Sequence, residues 1–382
     1  MKEVLRTVLP LVFALRCFAG SDAVVCWNYH ALPVTLGSGQ SATIRGELCT
    51  IEDELRDGST IQLLIHGATY NHSYWDFGTV PGTEYSYARD VAAHGIPTFA
   101  IDLPGSGTSS HPPSEQLTVQ TVAGVVHQIV QGLRSGSIAG FAFGKVILVG
   151  HSLGSTVVWQ EAISYGDVDG VIVTGAAHAL TARFGQLAQS DFYPAINDPK
   201  FAGSSLDSGY LTTTPDTRAT LFYSEPNADP AVINQDEVRK DVVPGTLLAT
   251  GAPLALSTAS LGIRVPVLTI LGSNDLPTCG PNPQGVIFDC SSGAVVAQQD
   301  APFYSPEARI HACVVPNSGH DISLAVNHSL QVADAVAWSY AFVGQRHHRD
   351  VYDFDESLRG LPWNDNLPWN CGGVPSDPRR NQ

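Results

Sequence analysis

The stretch that decides the fold is "VILVGHSLGS", residues 146–155. Four apolar residues lead directly into Gly-His-Ser-Leu-Gly, and a segment that can form a helix follows. A sharp strand-to-helix turn lifts a serine hydroxyl above the sheet only if small residues flank it, and Gly150 and Gly154 meet that need. The stretch therefore predicts either a reactive Ser152 or a small residue in a tight turn, and the rest of the chain has to decide.

Short apolar runs bounded by turn residues recur along the chain, as expected for strands buried on both faces of a parallel sheet. Helix-like segments lie between them, for example at 118–133 and 156–165. This alternation predicts an α/β fold with a mostly parallel central sheet flanked by helices. An antiparallel hairpin, 34–36 with 42–47, precedes the sheet. The predicted buried strands are 61–65, 96–101, 146–149, 171–174, 267–271 and 312–315.

Length and composition describe a large globular chain. It has 382 residues, 43% of them hydrophobic and 15% charged, which argues against a disordered polypeptide. Acidic residues outnumber basic ones by 36 to 20 without any Lys/Arg cluster, so nucleic acid is not an expected partner. The sequence contains no C-x-x-C motif, and neither a metal nor an organic cofactor is implied.

Two regions interrupt the alternation of strands and helices. Residues 177–262 are rich in Pro, Asp and Thr and contain no clear buried strand, and an insertion of this length predicts a cap or lid. The C-terminal tail, 346–382, repeats "LPWN" and is expected to pack on the core. The predicted core therefore consists of residues 24–176 and 263–345.

The N-terminus predicts export. Lys2 and Arg6 precede an apolar run at 8–15, and small residues follow, which is typical of a signal peptide over about residues 1–20. The run is too short to span a membrane. The expected location is outside the cell or in the lumen of the secretory pathway.

The cysteines favour the same location. Six remain once Cys17 is removed with the signal peptide, and an even number in an exported chain favours disulfides. Six cysteines allow fifteen connectivities, so spacing alone does not fix the pairs. The pairs suggested by nearness, and for the last by elimination, are Cys26–Cys49, Cys279–Cys290 and Cys313–Cys371.

Two Asn-His-Ser sequons mark candidate glycosylation sites in an exported chain, at Asn71 and Asn327. Asn327 is the stronger candidate, because a glycan on Asn71 would lie close to the loop after the strand at 61–65 and obstruct a pocket there.

A serine nucleophile needs a base, and the base needs an orienting carboxylate. On a fold of this kind the chain order is serine, acid, histidine, each after a strand end. "VLTILGSND" places Asp275 in the turn after one strand, and "ACVVPNSGHD" places His320 in the loop after the last strand. Rival acids that do not directly follow a strand end are Asp289, Asp300 and Asp321.

An oxyanion needs backbone donors. The N–H of Leu153, directly after the serine, is one expected donor, and the loop in "LLIHGATY" supplies the Ala68 N–H as the other. Thr69 is a further candidate near that anion. His66 and His151 are expected to brace the neighbouring turns rather than react.

The next loop, "TYNHSYWD", supplies candidate pocket residues. Thr69, Tyr70, Tyr74 and Trp75 would give the pocket apolar and aromatic walls, or else the aromatic residues pack in the core as large rings commonly do. His178 follows a predicted strand end, where it either faces the pocket or caps the exit of the chain into the insertion.

Four features make the chain resemble the α/β-hydrolase superfamily over about residues 24–345: "HGATYNHSYWD", "AIDLPGSGTSS", "GHSLG" and the pair Asp275/His320. The resemblance implies the α/β-hydrolase fold with Ser152, Asp275 and His320 as its catalytic triad. The signal peptide and cysteines make it most similar to secreted, mostly microbial members, fungal ones included. Epoxide hydrolases and haloalkane dehalogenases of this superfamily carry Asp where Ser152 stands, so the resemblance favours serine chemistry.

The sequence thus predicts a secreted serine hydrolase that cleaves a carboxylic ester or lactone of a hydrophobic small molecule through an acyl-enzyme. Members that catalyse a cyclisation or a carbon–carbon cleavage in biosynthesis share the same triad, so that alternative stays open. A non-catalytic ligand-binding protein on the same fold is the third alternative. The sequence implies no particular oligomeric state.

Overall fold

The computed structural model describes residues 23–225, 227–344 and Cys371. The predicted signal peptide and, apart from Cys371, the predicted tail lie outside the described residues. None of the described helices combines the length and apolar character that crossing a bilayer requires.

The described chain alternates strands and helices, as the apolar runs predicted. The strands are β1 (Val24–Thr35), β2 (Ser41–Ile51), β3 (Thr60–Ile65), β4 (Gly78–Val80), β5 (Thr83–Tyr85), β6 (Thr98–Ile101), β7 (Lys145–His151), β8 (Gly170–Thr174), β9 (Phe192–Pro194), β10 (Tyr210–Thr213), β11 (Val243–Pro244), β12 (Val267–Gly272), β13 (Gly280–Pro281), β14 (Ile287–Phe288) and β15 (His311–Val315). The α-helices are α1 (Tyr87–Ala93), α2 (Val119–Ser135), α3 (Leu153–Ser164), α4 (Ala182–Asp191), α5 (Arg218–Phe222), α6 (Pro230–Arg239), α7 (Gly245–Gly251), α8 (Gly293–Asp300) and α9 (Ser329–Trp338).

An eight-stranded sheet in the order β1-β2-β6-β3-β7-β8-β12-β15 forms the centre of the fold. The strand β2 is antiparallel to both β1 and β6, and the remaining pairs are parallel. All six predicted buried strands are present with bounds within two residues, and the predicted hairpin is β1–β2. The α/β-hydrolase fold predicted from the sequence is confirmed.

Two apolar cores cover the two faces of this sheet. Successive residues of β7 alternate between them: Val146 and Leu148 pack with α2 and α3, whereas Ile147 and Val149 pack with α1 and α9. Both sets are fully buried, and each such side chain stabilises the fold by roughly 1.5–3 kcal/mol relative to exposure. The strands that carry the site are therefore held rigidly from both sides.

The order of the strands fixes where a ligand can bind. The chain proceeds from β3 outward to β6 and then returns to β7 on the other side of β3. In open α/β sheets, ligands bind at the carboxyl ends of the strands beside such a reversal. The loops that follow β3 and β7 flank this position.

The insertion between β8 and β12 differs from the sequence expectation in one respect. Residues 177–262 were expected to contain no clear buried strand, but β9, β10 and β11 form a small antiparallel sheet there. Three of the four residues of β10 are buried. Each of these strands has only two to four residues, too few to produce a recognisable apolar period.

Three disulfides are present among the described residues, and they are the two pairs suggested by nearness in the sequence and the one suggested by elimination. Cys26–Cys49 joins β1 to β2, Cys279–Cys290 closes the loop after β12, and Cys313–Cys371 connects β15 with the C-terminal region.

Candidate active site

Ser152 occupies a strained turn between β7 and α3. Its φ and ψ angles are 53° and −120°, and a non-glycine residue held in such a conformation costs on the order of 1–3 kcal/mol. A Cβ on Gly150 would lie 2.6 Å from the Ser155 Cα, and one on Gly154 would lie 2.4 Å from the Ile65 carbonyl oxygen. Both positions therefore require glycine, which is the physical basis of the motif read from the sequence.

His320 and Asp275 form a buried pair beside this turn. The His320 Nδ1 lies 3.0 Å from the Asp275 Oδ2, and the second oxygen of Asp275 accepts a hydrogen bond from the Thr278 N–H at 3.0 Å. The two loops that carry them fit closely, since a Cβ on Gly272 would lie 2.1 Å from the Gly319 carbonyl oxygen. The carboxylate is thus fixed by its own turn and orients the imidazole.

The rival acids have other partners. Asp300 contacts His178, Asp321 contacts His151, and Asp289 accepts a hydrogen bond from the backbone of its own loop. Of the four acids considered from the sequence, Asp275 is the one whose carboxylate binds a ring nitrogen of His320.

The pKa of His320 is raised above its ordinary value. Burial alone would lower it, but the charge of Asp275, its hydrogen bond and the nearby charge of Asp321 outweigh burial. A raised pKa makes this imidazole a stronger proton acceptor, as general-base catalysis requires.

Ser152 and His320 line the same cavity of about 110 Å³. Residues of the core and residues of the insertion both line it. The large apolar side chains from the insertion are Leu180, Phe184, Phe192, Phe222 and Leu248.

The two amides predicted as oxyanion donors belong to residues that also line this cavity, Ala68 and Leu153. Within the described residues, neither of these N–H groups donates a hydrogen bond to the protein. The Leu153 amide lies in the first turn of α3, where helical N–H groups have no partner within the helix. Both donors are available to a ligand atom.

One of the predicted aromatic pocket residues faces the cavity, and two do not. Tyr70 lines it, whereas Tyr74 and Trp75 are buried in the core and absent from its walls. Trp75 packs edge-on against Tyr74 and beside Tyr87. For Tyr74 and Trp75 the alternative of ordinary core packing is the one observed.

Thr69 does not line the cavity either. It has a φ angle of 60° and is fully buried, and its hydroxyl accepts a hydrogen bond from Arg218 at 2.8 Å. Thr69 therefore turns the loop and attaches it to the insertion.

His178 is placed outside the cavity. Its Nδ1 lies 2.8 Å from Asp300 and its Nε2 lies 2.7 Å from the Ser260 hydroxyl, while its ring stacks on Phe303. Since both nitrogens have partners in the surrounding structure, this residue fixes the exit of the chain from β8, which is the alternative considered for it from the sequence.

A second buried histidine–carboxylate pair lies next to the first. The His151 Nε2 is 3.2 Å from Asp321, its Nδ1 is 3.1 Å from the Thr174 hydroxyl, and its ring stacks on Tyr74 at 4.3 Å. His151 was expected from the sequence to brace the turn, but no motif in the sequence identifies Asp321 as its partner.

Asp321 continues into a buried polar network that reaches the insertion. The Tyr70 hydroxyl contacts both Asp321 and Asp236, and Asp236 forms a two-pronged ion pair with Arg218 at 2.8 and 3.0 Å. A phenol has one proton to donate, so a proton on one of the two carboxyl groups would satisfy both contacts. Burial raises the pKa of Asp321 to about 6, so this group can carry that proton in mildly acidic solution.

His66 braces two loops, as expected. Its Nδ1 lies 2.8 Å from the Gly67 carbonyl oxygen, and its Nε2 accepts a hydrogen bond from the Leu103 N–H at 3.0 Å. This bond connects the loop after β3 with the turn after β6.

Both candidate glycosylation residues are partly buried, and their side-chain amides are engaged. The Asn71 Nδ2 donates to Asp241 at 2.7 Å, and the Asn327 Nδ2 donates to the Pro316 carbonyl oxygen at 2.9 Å. Glycosylation at either position stays a prediction.

Comparison with known proteins gives matches over most of the chain. A sequence model described as the alpha/beta hydrolase family matches residues 62–362. Epoxide hydrolase 3 of Xenopus tropicalis is 29% identical over 120 residues, which are 31% of this chain and only 28% of that protein.

Solved structures with a similar fold include an esterase and a lipase. A thermophilic esterase from Thermogutta terrifontis superposes with a TM-score of 0.56 and 16% identity, covering 82% of this chain and 100% of that one. The monoacylglycerol lipase of Paleococcus ferrophilus superposes with a TM-score of 0.50 and 17% identity, covering 79% and 100%. At such identities the similarity shows the fold alone.

Proposed function

This chain belongs to the alpha/beta hydrolase family, and on that premise we propose that it is a serine hydrolase that cleaves a carboxylic ester or lactone of a small hydrophobic molecule. The observation that carries the proposal is the arrangement around one cavity. Ser152 at the strained turn and His320 both line it, and the His320 Nδ1 is held 3.0 Å from Asp275.

The reaction follows from the orientation of His320. Because its Nδ1 faces Asp275, its Nε2 is the nitrogen that takes the Ser152 proton while the serine oxygen attacks the substrate carbonyl. Asp275 stabilises the imidazolium. The imidazolium then protonates the leaving alcohol, and a water activated by the same nitrogen releases the acid and frees Ser152.

The charge that develops on the carbonyl oxygen needs donors that are already in place. The Ala68 and Leu153 amides, which have no acceptor in the described protein, take this role. Removal of one such donor typically costs a factor of about 10²–10³ in kcat.

The walls of the cavity support an uncharged, apolar substrate. Among the described residues that line it, none is Lys, Arg, Asp or Glu. Its volume of about 110 Å³ is below the roughly 300–1,000 Å³ of pockets for drug-sized ligands, which suits a short acyl group.

The identity of the residue at position 152 favours ester hydrolysis over epoxide hydrolysis. Part of the chain is similar to an epoxide hydrolase, but members of that class carry Asp at the elbow. A serine there leads to an acyl-enzyme, so the ester or lactone is preferred.

Secretion is part of the proposal. Its support is the charged and apolar N-terminal sequence and the three disulfides, which form and persist in oxidising compartments.

The test is covalent labelling followed by turnover. A serine-directed phosphonate should modify Ser152, identified by peptide mass spectrometry, and the protein should hydrolyse p-nitrophenyl esters of short acids. Ser152→Ala should abolish both, whereas Ser164→Ala, at the exposed end of the same helix, should leave both intact.

Two results would redirect the proposal. Turnover that survives in Ser152→Ala excludes the acyl-enzyme. Labelling of Ser152 without turnover of any ester or lactone favours cyclisation or carbon–carbon cleavage in the same cavity, or a binding protein.

A further inference from the structure

A second cluster of chemically active side chains lies away from this cavity, where α2 packs on α3. It consists of His127 on α2, Glu161 on α3 and Asp167 in the loop that follows α3. Glu161 is nine residues from Ser152, which corresponds to about 13 Å along the axis of α3. The cluster is therefore separate from the proposed reaction.

The three residues present their ligand atoms to one point. The His127 Nδ1 is 2.9 Å from an Asp167 oxygen and 3.8 Å from a Glu161 oxygen, and all the ligand atoms lie within 4.8 Å of one another. Ligand atoms around a single tetrahedral Zn²⁺ ion lie roughly 3.4 Å apart. Only small side-chain shifts would place all three at bonding distance from one ion.

Several buried polar atoms of this cluster have no conventional hydrogen-bond partner within the described part of the chain. The Glu161 side chain is 0% exposed, and among the described residues neither of its oxygens accepts a hydrogen bond from an N–H or hydroxyl group; the carboxyl group of Asp167 lies within hydrogen-bonding reach. Nor does the His127 Nδ1, which approaches Asp167 outside hydrogen-bonding geometry, or the Asp167 Oδ1 accept such a hydrogen bond from the described residues. Burial of a carboxylate without a partner is strongly unfavourable, so this group requires a positive charge or a proton.

The nearest basic side chain does not supply that charge directly. The Arg134 guanidinium donates to the Asp167 backbone carbonyl at 2.8 Å and to Asp169 instead.

We propose that His127, Glu161 and Asp167 bind a divalent transition-metal ion, with Zn²⁺ as the best fit. One imidazole and two carboxylates form a donor set that suits Zn²⁺, whereas Ca²⁺ and Mg²⁺ favour sites made of oxygen alone. His127 and Asp167 are 28% and 20% exposed, which leaves a route for the ion and room for a water as fourth ligand.

The surroundings of the cluster fit a structural site. Gln131 donates to Asp167, and the Tyr165 ring stacks on His127 at 3.9 Å, so the two outer ligands are held in place. A bound ion would connect α2, α3 and the loop before β8.

The proposed metal site is tested by measuring the metal content and the metal affinity of the untagged protein in the absence of substrate. After treatment with a chelator and dialysis against Zn²⁺, elemental analysis should give one ion per chain. Titration calorimetry should give a single saturable site that prefers Zn²⁺ to Ca²⁺, and Zn²⁺ should raise the Tm. Substitution with Co²⁺ should give the visible absorption of a four- or five-coordinate site.

Glu161→Gln keeps the shape of the side chain, and its amide can donate to Asp167, so this variant should fold. It should bind Zn²⁺ at least tenfold more weakly, and His127→Ala should lose the Co²⁺ absorption. The matched control is Glu307→Gln, which removes an exposed carboxylate on the surface and should bind as the unsubstituted protein does.

Equal Zn²⁺ binding by Glu161→Gln and the unsubstituted protein would overturn the proposal. So would the absence of any saturable site, which would mean that Glu161 and Asp167 share a proton. Ester turnover is not the readout, so failure here would leave the proposed function untouched, and Ser152→Ala should bind Zn²⁺ normally.

Discussion

Two histidine–carboxylate pairs lie side by side in this protein, with the rings of His151 and His320 only 4.9 Å apart. Both rings line the cavity and both are buried. They differ in what remains free. In His151 both nitrogens have partners, Thr174 and Asp321, whereas among the described residues no hydrogen bond engages the Nε2 of His320. A general base needs a ring nitrogen without a hydrogen-bond partner. The presence of a buried histidine beside a carboxylate is therefore not enough to identify the base.

The electrostatic surroundings separate the two histidines further. Burial lowers the pKa of His151 well below its ordinary value, and the neighbouring His320 lowers it again. His320 shifts in the opposite direction because Asp275 outweighs the effect of burial. One ring therefore stays neutral and packs, while the other can accept a proton.

The largest effect should come from loss of the free nitrogen. His320→Gln should lower kcat for an ester substrate by about 10⁴- to 10⁶-fold, as loss of the base does in serine hydrolases. His151→Gln removes two hydrogen bonds worth about 1 kcal/mol each and should therefore lower kcat by about 30-fold or less. Steady-state kinetics, with circular dichroism to check folding, decide this. Similar losses in both variants would remove the distinction between the two rings.

The carboxylates of the two pairs should differ in the same direction as the two histidines, with smaller losses of kcat. Asp275→Asn should lower kcat by about 10⁴-fold, since the amide favours the wrong tautomer of His320. Asp321→Asn should retain kcat within about tenfold, because Asp321 does not touch the reacting nitrogen. If Asp321→Asn were the more damaging of the two, Asp321 rather than Asp275 would be the carboxylate that supports the base.

Arg218 supports the second pair and should affect stability rather than chemistry. It is fully buried and neutralises Asp236, and its guanidinium lies 4.3 Å from the centre of the Tyr70 ring. Arg218→Met leaves the buried Asp236 carboxylate without its counter-ion, with only the Tyr70 and Tyr223 hydroxyls as hydrogen-bond donors among the described residues, so unfolding in urea should show a loss of about 3–5 kcal/mol.

The double variant Arg218→Met/Asp236→Asn provides the control. It should recover part of that stability, because no buried charge is left without a counter-ion. A double variant as unstable as the sum of the single changes would contradict the role of Asp236 as the stranded charge.

The sequence predicted the first pair because strand ends are visible in it. Asp275 and His320 directly follow apolar runs, and β12 and β15 place them at one edge of the sheet. Gly150 and Gly154 are equally easy to recognise in the sequence, since the turn around Ser152 leaves no room for a Cβ at either position.

No sequence motif indicates the second pair, His151 and Asp321, or the polar network that connects it to the insertion. Asp236 and Arg218 lie in the insertion, and their contact with Tyr70 depends on how the insertion folds over the core. Their spacing matches no motif. The loop with Tyr70, Tyr74 and Trp75 presents the same difficulty, because three aromatic residues within six positions do not show which one faces the cavity.

The smallest predicted effect concerns the coupling between the two pairs. The activity should rise with pH as His320 loses its proton, with a midpoint above the ordinary histidine pKa. Asp321 becomes charged above pH about 6, and this charge favours the protonated form of His320.

Asp321→Asn removes that charge, so the acidic limb of kcat/KM should move to lower pH. A shift of roughly half a unit corresponds to about 0.7 kcal/mol. Profiles of kcat/KM against pH measure it, with Asp300→Asn as the control, because Asp300 is buried against His178 instead. A limb that stays in place would mean that the two pairs act independently despite their contact.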